Sequence, residues 1–159
     1  MTAKRRTARP SRAKRRVARR YTVDASVFVN AFNPHEEGHV QSLQILSAIQ
    51  ERGDPVIVPT LLVPEIASAV ARATNDRAGA LQYSVATAAL PHLTLVSVTA
   101  AVAREAAGLA ATHRLRGADA VYVAVARRYG TTIVSRDDEQ RMRGAAVVTC
   151  QTPEEALKA

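Results

Sequence analysis

Short apolar segments alternate with helical ones along residues 21–158, and this alternation restricts the fold more than any other feature of the sequence. The apolar segments are rich in β-branched side chains, which is typical of strands, and the segments between them carry apolar residues at helical spacing. Parallel strands need long crossover connections and are buried on both faces. The pattern therefore predicts an α/β fold, a three-layer α/β/α sandwich with a mainly parallel central sheet and Rossmann-like topology. The predicted strands lie at residues 21–23, 55–59, 93–98, 131–134 and 145–150.

Capping and turn residues mark several of the predicted helix ends. Gly53 is suited to end the helix before the second strand, and Pro91 ends a helix predicted for residues 77–90. Thr60 is predicted to cap the helix that follows the second strand, and Thr152 the C-terminal helix. The helices thus fall between the predicted strands, as an α/β fold requires.

An aliphatic composition supports this fold. The chain is 47% hydrophobic but only 4% aromatic and has no Trp, so Ala, Val, Leu and Ile must build the core. The single cysteine, Cys150, ends the last predicted strand and is expected to be a buried apolar residue. No apolar run is long enough for a membrane span, and the basic N terminus is not followed by the apolar stretch of a signal peptide. The sequence predicts a soluble, cytoplasmic protein without a membrane partner.

The positive charge of the chain is concentrated in its first 20 residues. The net charge is +8, but residues 1–20 hold ten Lys or Arg and no acid, so residues 21–159 carry a net charge of −2. We expect residues 1–20 to form a basic tail that is disordered in isolation, and residues 21–159 to form one domain. The tail has three interpretations: a nucleic-acid-binding arm, an inert extension, or residues added by a misassigned translation start. The candidate nucleic-acid-binding residues are Arg5, Arg6, Arg15, Arg16, Arg19 and Arg20.

Four acidic residues lie at strand ends or helix starts of the predicted sheet, and a parallel sheet would bring three of them together. Asp24 follows the first predicted strand, Asp137 follows the fourth, and Glu65 opens the helix after the second. Residues at these positions gather at the carboxyl edge of the sheet, where ligands bind. Asp119 opens the helix before the fourth strand, so its place at this edge depends on the preceding loop. Taken singly, each acid also has an ordinary explanation as a cap, a turn residue or a first-turn acid.

Clustered carboxylates need a compensating positive charge. Two of them 4 Å apart repel by about 4 kcal/mol at an effective dielectric constant near 20. Mg²⁺ or Mn²⁺ is the natural counter-ion, because these hard cations bind carboxylates together with water and substrate phosphate. Ser26 and Ser135 lie two residues before or after an acid of the set and could orient it or bind a metal-bound water. His35, His39, His92 and His113 lack a nucleophilic partner, and no Gly-rich phosphate loop is present.

Four sequence blocks resemble the PIN domain, in particular the toxin ribonucleases of VapBC-type toxin–antitoxin pairs. The blocks are "VDASVFV", "VPEIASAV", "RGADAVYVAVARRYGTTIVSRD" and "TPEEAL", and the resemblance covers roughly residues 21–158. It implies that the catalytic and metal-binding residues are Asp24, Glu65, Asp119 and Asp137, supported by Ser26 and Ser135. The family often has an aromatic or large apolar residue shortly after the last aspartate, whereas this chain reads Asp138, Glu139, Gln140. Asp138 is therefore an alternative to Asp137.

The function that the residues and the resemblance together predict is a Mg²⁺- or Mn²⁺-dependent endoribonuclease that hydrolyses RNA phosphodiester bonds. The resemblance implies a toxin with a cognate antitoxin partner, and a homodimer. Two alternatives remain: a PIN-fold module that binds RNA without cleaving it, and an RNA-processing nuclease that has no antitoxin.

Overall fold

The computed structural model describes residues 19–159 as a parallel five-stranded sheet flanked by helices. The predictions made for residues 1–18, including those for Arg5, Arg6, Arg15 and Arg16, lie outside the described residues. Among the helices of residues 19–159, none is long and apolar enough to cross a membrane.

Strands and helices follow one another in the order that the sequence pattern predicts. The strands are β1 (Tyr21–Val23), β2 (Val56–Pro59), β3 (Leu93–Val96), β4 (Thr132–Val134) and β5 (Cys150–Gln151). The helices are α1 (Ala25–Phe32), α2 (His39–Arg52), α3 (Leu62–Thr74), α4 (Arg77–Ala88), α5 (Ala100–His113), α6 (Gly117–Tyr129), α7 (Asp138–Gly144) and α8 (Pro153–Lys158).

The strand order creates a crevice next to the first strand. The order is β3-β2-β1-β4-β5, and every pair is parallel. The chain therefore builds the sheet outward from β1 to β3, then returns to the other side of β1 with β4 and β5. In parallel sheets, ligands bind at the carboxyl ends of the strands where the order reverses in this way. Here that point lies between β1 and β4, directly before Asp24 and Ser135.

Two buried clusters lie on opposite faces of the sheet. Successive residues of a strand point to opposite faces, and Ile133 and Val134 of β4 belong to different clusters. The Val134 cluster contains Val23 of β1 with residues of α1, α2 and α3, whereas the Ile133 cluster contains residues of α5 and α6. The predicted α/β/α arrangement around a parallel sheet is confirmed.

Three local predictions are wrong. The third strand was predicted to be buried, but β3 is an edge strand in which Leu95 is exposed. The segment 145–150 was predicted to be a strand, but only Cys150 belongs to β5, and this residue is half-buried because the sheet ends there. Thr60 does not cap α3, since Leu61 occupies that position without a side-chain hydrogen bond. By contrast, Thr152 caps α8 in a complete capping box with Glu155, as predicted.

Candidate functional site

The four predicted acids line one cleft at the carboxyl ends of β1 and β4. The cleft has a volume of about 330 Å³, and its lining includes Asp24, Glu65, Asp119 and Asp137. These residues come from the β1–α1 junction, the first turns of α3 and α6, and the β4–α7 loop. Their convergence follows from the strand order, which places β1 beside β4.

Asp24 is held rigidly at the bottom of this cleft. Its backbone NH donates to the Val134 carbonyl at 2.9 Å, so that it continues the β1–β4 ladder, and its side chain caps α1. Oδ2 accepts from the Ser26 NH at 2.8 Å, and Oδ1 accepts from Gln140 Nε2 at 3.1 Å. Only 8% of Asp24 is exposed. Burial raises the pKa of this carboxyl despite the hydrogen bonds that favour its charged form.

Asp137 caps the short helix α7, and both of its carboxylate oxygens have partners. Oδ1 accepts from the Gln140 NH at 2.9 Å, and Oδ2 accepts from Arg116 Nη1 at 3.0 Å. Its backbone NH donates to Ser135 Oγ at 3.0 Å. The carboxylate is therefore oriented from both sides, and its charge is balanced by the Arg116 guanidinium.

Glu65 shares a hydrogen bond with a buried tyrosine. The Tyr122 hydroxyl donates to Glu65 Oε2 at 2.6 Å. Burial, and then the charges of Asp24 and Asp119, raise the pKa of Glu65. Burial and the neighbouring carboxylates also raise the pKa of Tyr122, so the phenol remains a hydrogen-bond donor. One Glu65 oxygen is thus used within the protein, and Oε1 remains for a ligand.

Asp119 is the acid of the site whose carboxylate has the fewest hydrogen-bond partners within the described residues. Its Oδ2 atom is buried and has no hydrogen-bond partner. Burial, followed by the charges of Asp137 and Asp24, raises the pKa of Asp119 to about 6, while Arg116 acts in the opposite direction. A buried carboxylate oxygen without a partner is costly unless a ligand or an ion satisfies it.

The two predicted hydroxyls connect the loops that carry Asp24 and Asp137. Ser26 Oγ accepts from the Arg136 NH at 3.1 Å and lies 3.5 Å from Ser135 Oγ. Ser135 is fully buried and binds the Asp137 NH. Both hydroxyls thereby contribute to the backbone geometry of the site.

Three further predicted residues that the structure describes, Asp138, Arg19 and Arg20, lie outside the cleft. The Asp138 side chain is 81% exposed and pairs with Arg141, so it faces away from the other acids. Arg19 and Arg20 line a different recess with Tyr21 and Thr132, at the opposite edge of the sheet, where β1 and β4 begin.

Four polar residues of the site did not emerge from the sequence. Gln140 bridges Asp24 and Asp137, and Tyr122 binds Glu65. Arg72 and Arg116 line the cleft beside the acids. Local spacing offered a partial signal, since Arg116 and Tyr122 stand three residues before and after Asp119, and i, i+3 positions share one face of a helix.

The donors suit a hard divalent cation, although they are not arranged to hold one as they stand. Four carboxylates and two hydroxyls are the oxygen ligands that Mg²⁺ and Mn²⁺ prefer, and the unpartnered Asp119 Oδ2 is an available ligand atom. Within residues 19–159, however, no three His, Cys, Asp or Glu side chains are placed to hold one ion. Asp137 is instead paired with Arg116, and Glu65 accepts a hydrogen bond from Tyr122.

The raised pKa of Asp119 predicts that the metal-free protein loses stability between pH 5 and pH 7.5. The ordinary value is 3.8 and the folded value about 6, so the native state binds more protons than the unfolded state until the pH is about one unit above the folded value. The free energy of unfolding therefore falls as pH rises through this window. We expect a loss of about 1 kcal/mol, or about 3 °C in Tm.

Thermal denaturation in EDTA across this pH range measures the effect. Asp119→Asn should flatten the dependence and raise Tm at pH 7.5, whereas the control Asp138→Asn should follow the wild type. A wild-type Tm that rises from pH 5 to pH 7.5 would contradict the expectation.

Comparison with known proteins agrees with this fold. Residues 21–145 match the family model described as PIN domain. The structure of VapC20 from Mycobacterium tuberculosis, described as a sarcin–ricin loop cleaving toxin, superposes with a TM-score of 0.68 at 19% identity, over 78% of this chain and 95% of that one. PAE2754 from Pyrobaculum aerophilum gives a TM-score of 0.65 at 19% identity, over 89% and 88% of the two chains. A toxin–antitoxin complex from Klebsiella pneumoniae gives 0.60 at 17% identity, over 85% and 97%. No curated protein matches the chain.

Proposed function

The chain belongs to the PIN domain family, and on this premise we propose that it is a Mg²⁺- or Mn²⁺-dependent endoribonuclease, the toxin of a toxin–antitoxin pair. One observation carries the proposal. Asp24, Glu65, Asp119 and Asp137 line a single cleft in which the buried Asp119 Oδ2 has no partner. A divalent cation bound by these carboxylates would neutralise their mutual repulsion. A cation held in this way is also suited to promote hydrolysis of a phosphodiester bond.

The four carboxylates would hold the ion, and their protein contacts define separate tasks. Bound Mg²⁺ or Mn²⁺ lowers the pKa of a water ligand and neutralises charge that develops on the phosphate. Asp24 is oriented by Ser26 and Gln140, so it offers a fixed ligand position. The Tyr122 hydroxyl occupies Oε2 of Glu65, so Oε1 would be the atom that binds the ion or one of its water ligands.

Two arginines on the lining of the cleft favour RNA as the substrate. Arg72 lies seven residues after Glu65 on α3, which places it about 10 Å along the helix. Arg116 lies beside Asp119 and Asp137. Guanidinium groups bind phosphates through paired hydrogen bonds. A cleft that holds acids for a cation and two guanidinium groups for neighbouring phosphates suits a polyanionic substrate.

The structural neighbours support an antitoxin as partner. The Klebsiella neighbour is a toxin–antitoxin complex, and the VapC20 neighbour is a toxin that cleaves the sarcin–ricin loop. By analogy, we propose that this chain acts in the cytoplasm, forms a homodimer and is blocked by a cognate antitoxin.

Incubation of the purified protein with a mixed pool of RNA tests the proposal. Cleavage should require Mg²⁺ or Mn²⁺ and stop in EDTA. The same cations should stabilise the fold by about 2.7 kcal/mol at a hundred times the dissociation constant. A protein that neither cleaves RNA nor gains stability from either cation would contradict the function. Binding of RNA without cleavage would favour a role as an RNA-binding module.

A further inference from the structure

Arg116 lies across the acidic cleft, and one of its contacts is with a proposed metal ligand. The residue directly precedes α6. Its Nη1 atom donates to Asp137 Oδ2 at 3.0 Å, and Nη2 donates to Glu139. The side chain is 60% exposed. It is therefore an ionic contact at the surface, and such contacts exchange readily.

This contact competes with coordination by Asp137. Oδ1 of Asp137 already accepts from the Gln140 NH, and Oδ2 is the atom that Arg116 holds. A cation that binds Oδ2 places a second positive group beside Arg116 on one oxygen, so the repulsion between the two groups favours displacement of Arg116. The movement does not leave Glu139 alone, because Arg143 Nη1 also pairs with this carboxylate at 2.7 Å.

We propose that Arg116 is an exchangeable phosphate-positioning residue: it neutralises Asp137 until a divalent cation takes that carboxylate, and it then binds the RNA phosphate. The inference rests on the function proposed above. An exposed guanidinium that has lost its carboxylate is a strong partner for phosphate. A phosphate that shared an ion with Asp137 would lie next to this carboxylate, within reach of the guanidinium that now contacts it.

Because Arg116 is proposed to bind Asp137 first and the RNA phosphate afterwards, one substitution should have opposite effects on the affinities for Mn²⁺ and for RNA. Arg116→Gln removes the competitor of the cation, so Mn²⁺ affinity should increase by roughly twofold to fivefold, the upper part of the range expected for an exposed ion pair. The same substitution removes a phosphate contact, so RNA affinity at saturating cation should fall by a similar factor. A residue that only supports the fold would weaken both.

Isothermal titration of the metal-free protein with Mn²⁺ measures the first effect, and the Michaelis constant for RNA at saturating Mn²⁺ measures the second. Arg143→Gln is the control, because it removes the same charge, a contact with the same Glu139 and one with the Arg114 carbonyl, but none with Asp137. It should change Mn²⁺ affinity less than twofold. Arg116→Lys should keep wild-type Mn²⁺ affinity and recover only part of the RNA affinity, because an ammonium binds phosphate as a point charge.

The outcomes separate this inference from the proposed function. If the wild type cleaves RNA but Arg116→Gln binds Mn²⁺ no more tightly than Arg143→Gln, the exchange is refuted and the nuclease function stands. Unchanged RNA affinity in Arg116→Gln refutes the phosphate contact. A wild type that binds no Mn²⁺ overturns both proposals.

Discussion

Asp24→Asn and Asp119→Asn are each expected to reduce the rate of metal-dependent RNA cleavage by roughly 100- to 1000-fold, while the domain stays folded. Substitutions of residues that only orient metal ligands often cost 10- to 100-fold, so the loss of a direct ligand should cost more. The fold should persist because neither side chain belongs to the apolar core. An asparagine at position 24 keeps an oxygen that can accept from the Ser26 NH. At position 119 the substitution removes a buried, poorly compensated charge.

Initial rates on one RNA substrate, with circular dichroism of each variant, measure this effect. Asp138→Asn is the matched control, since it removes the same charge from a carboxylate that pairs with Arg141 outside the cleft. Its rate should stay within about twofold of the wild type. If Asp24→Asn and Asp119→Asn both cleave at the wild-type rate, the reaction takes place elsewhere on the protein. A strong loss in Asp138→Asn would restore Asp138 as a candidate ligand.

Deletion of residues 2–18 is expected to have the next largest effect, on the salt dependence of RNA binding. This segment holds eight of the ten basic residues of the predicted tail, whereas residues 21–159 have a net charge of −2. Each neutralised phosphate of a single strand contributes about −0.7 to the slope of log affinity against log salt. Engagement of four to five tail charges gives a slope near −3, or roughly a 60-fold loss of affinity between 50 and 200 mM salt. The truncated protein should lose much of this dependence.

Binding of a single-stranded RNA across a salt series, in Ca²⁺ if this ion suppresses cleavage, tests the role of the tail. The truncation retains Arg19, whose guanidinium donates to the Ala159 carbonyl. A full-length variant with Gln in place of Arg5, Arg6, Arg15 and Arg16 separates charge from chain length, and it should also flatten the slope. The positions of cleavage should not change, because phosphate contacts carry no sequence information. An unchanged slope after truncation would identify the tail as an inert extension.

The local geometry of the site follows from short stretches of sequence. Tyr21–Val23 is a β-branched strand followed at once by Asp24, and the structure places this aspartate at the start of α1. Glu65 and Asp119 lie in the first turns of α3 and α6, as the apolar spacing predicts. Strand and helix periods depend on neighbouring residues alone. The alternation of elements, and with it the α/β class, is therefore readable without a structure.

The sequence pattern does not predict how deeply the strands at the edges of the sheet are buried. The segments 93–98 and 145–150 have the composition of buried strands, yet β3 is an exposed edge strand and β5 is reduced to Cys150–Gln151. An apolar run indicates a strand but does not say how many neighbours the strand has. That number depends on the strand order, which is a property of the whole chain.

The sequence alone determined which residues carry charge and at which end of each element they lie, whereas only the tertiary structure decided which of them meet. The order β3-β2-β1-β4-β5 sets Asp24 beside Val134, and α6 brings Asp119 to the same cleft, a position that its sequence context left open. Gln140 binds Asp24 across 116 residues of chain, and Arg116 pairs with Asp137 across 21. The residues in these contacts are far apart in the sequence, so the spacing of residues along a helix or a strand does not predict that they meet. The contacts depend on packing of the sheet against helices on both faces, which is settled only when the whole core assembles.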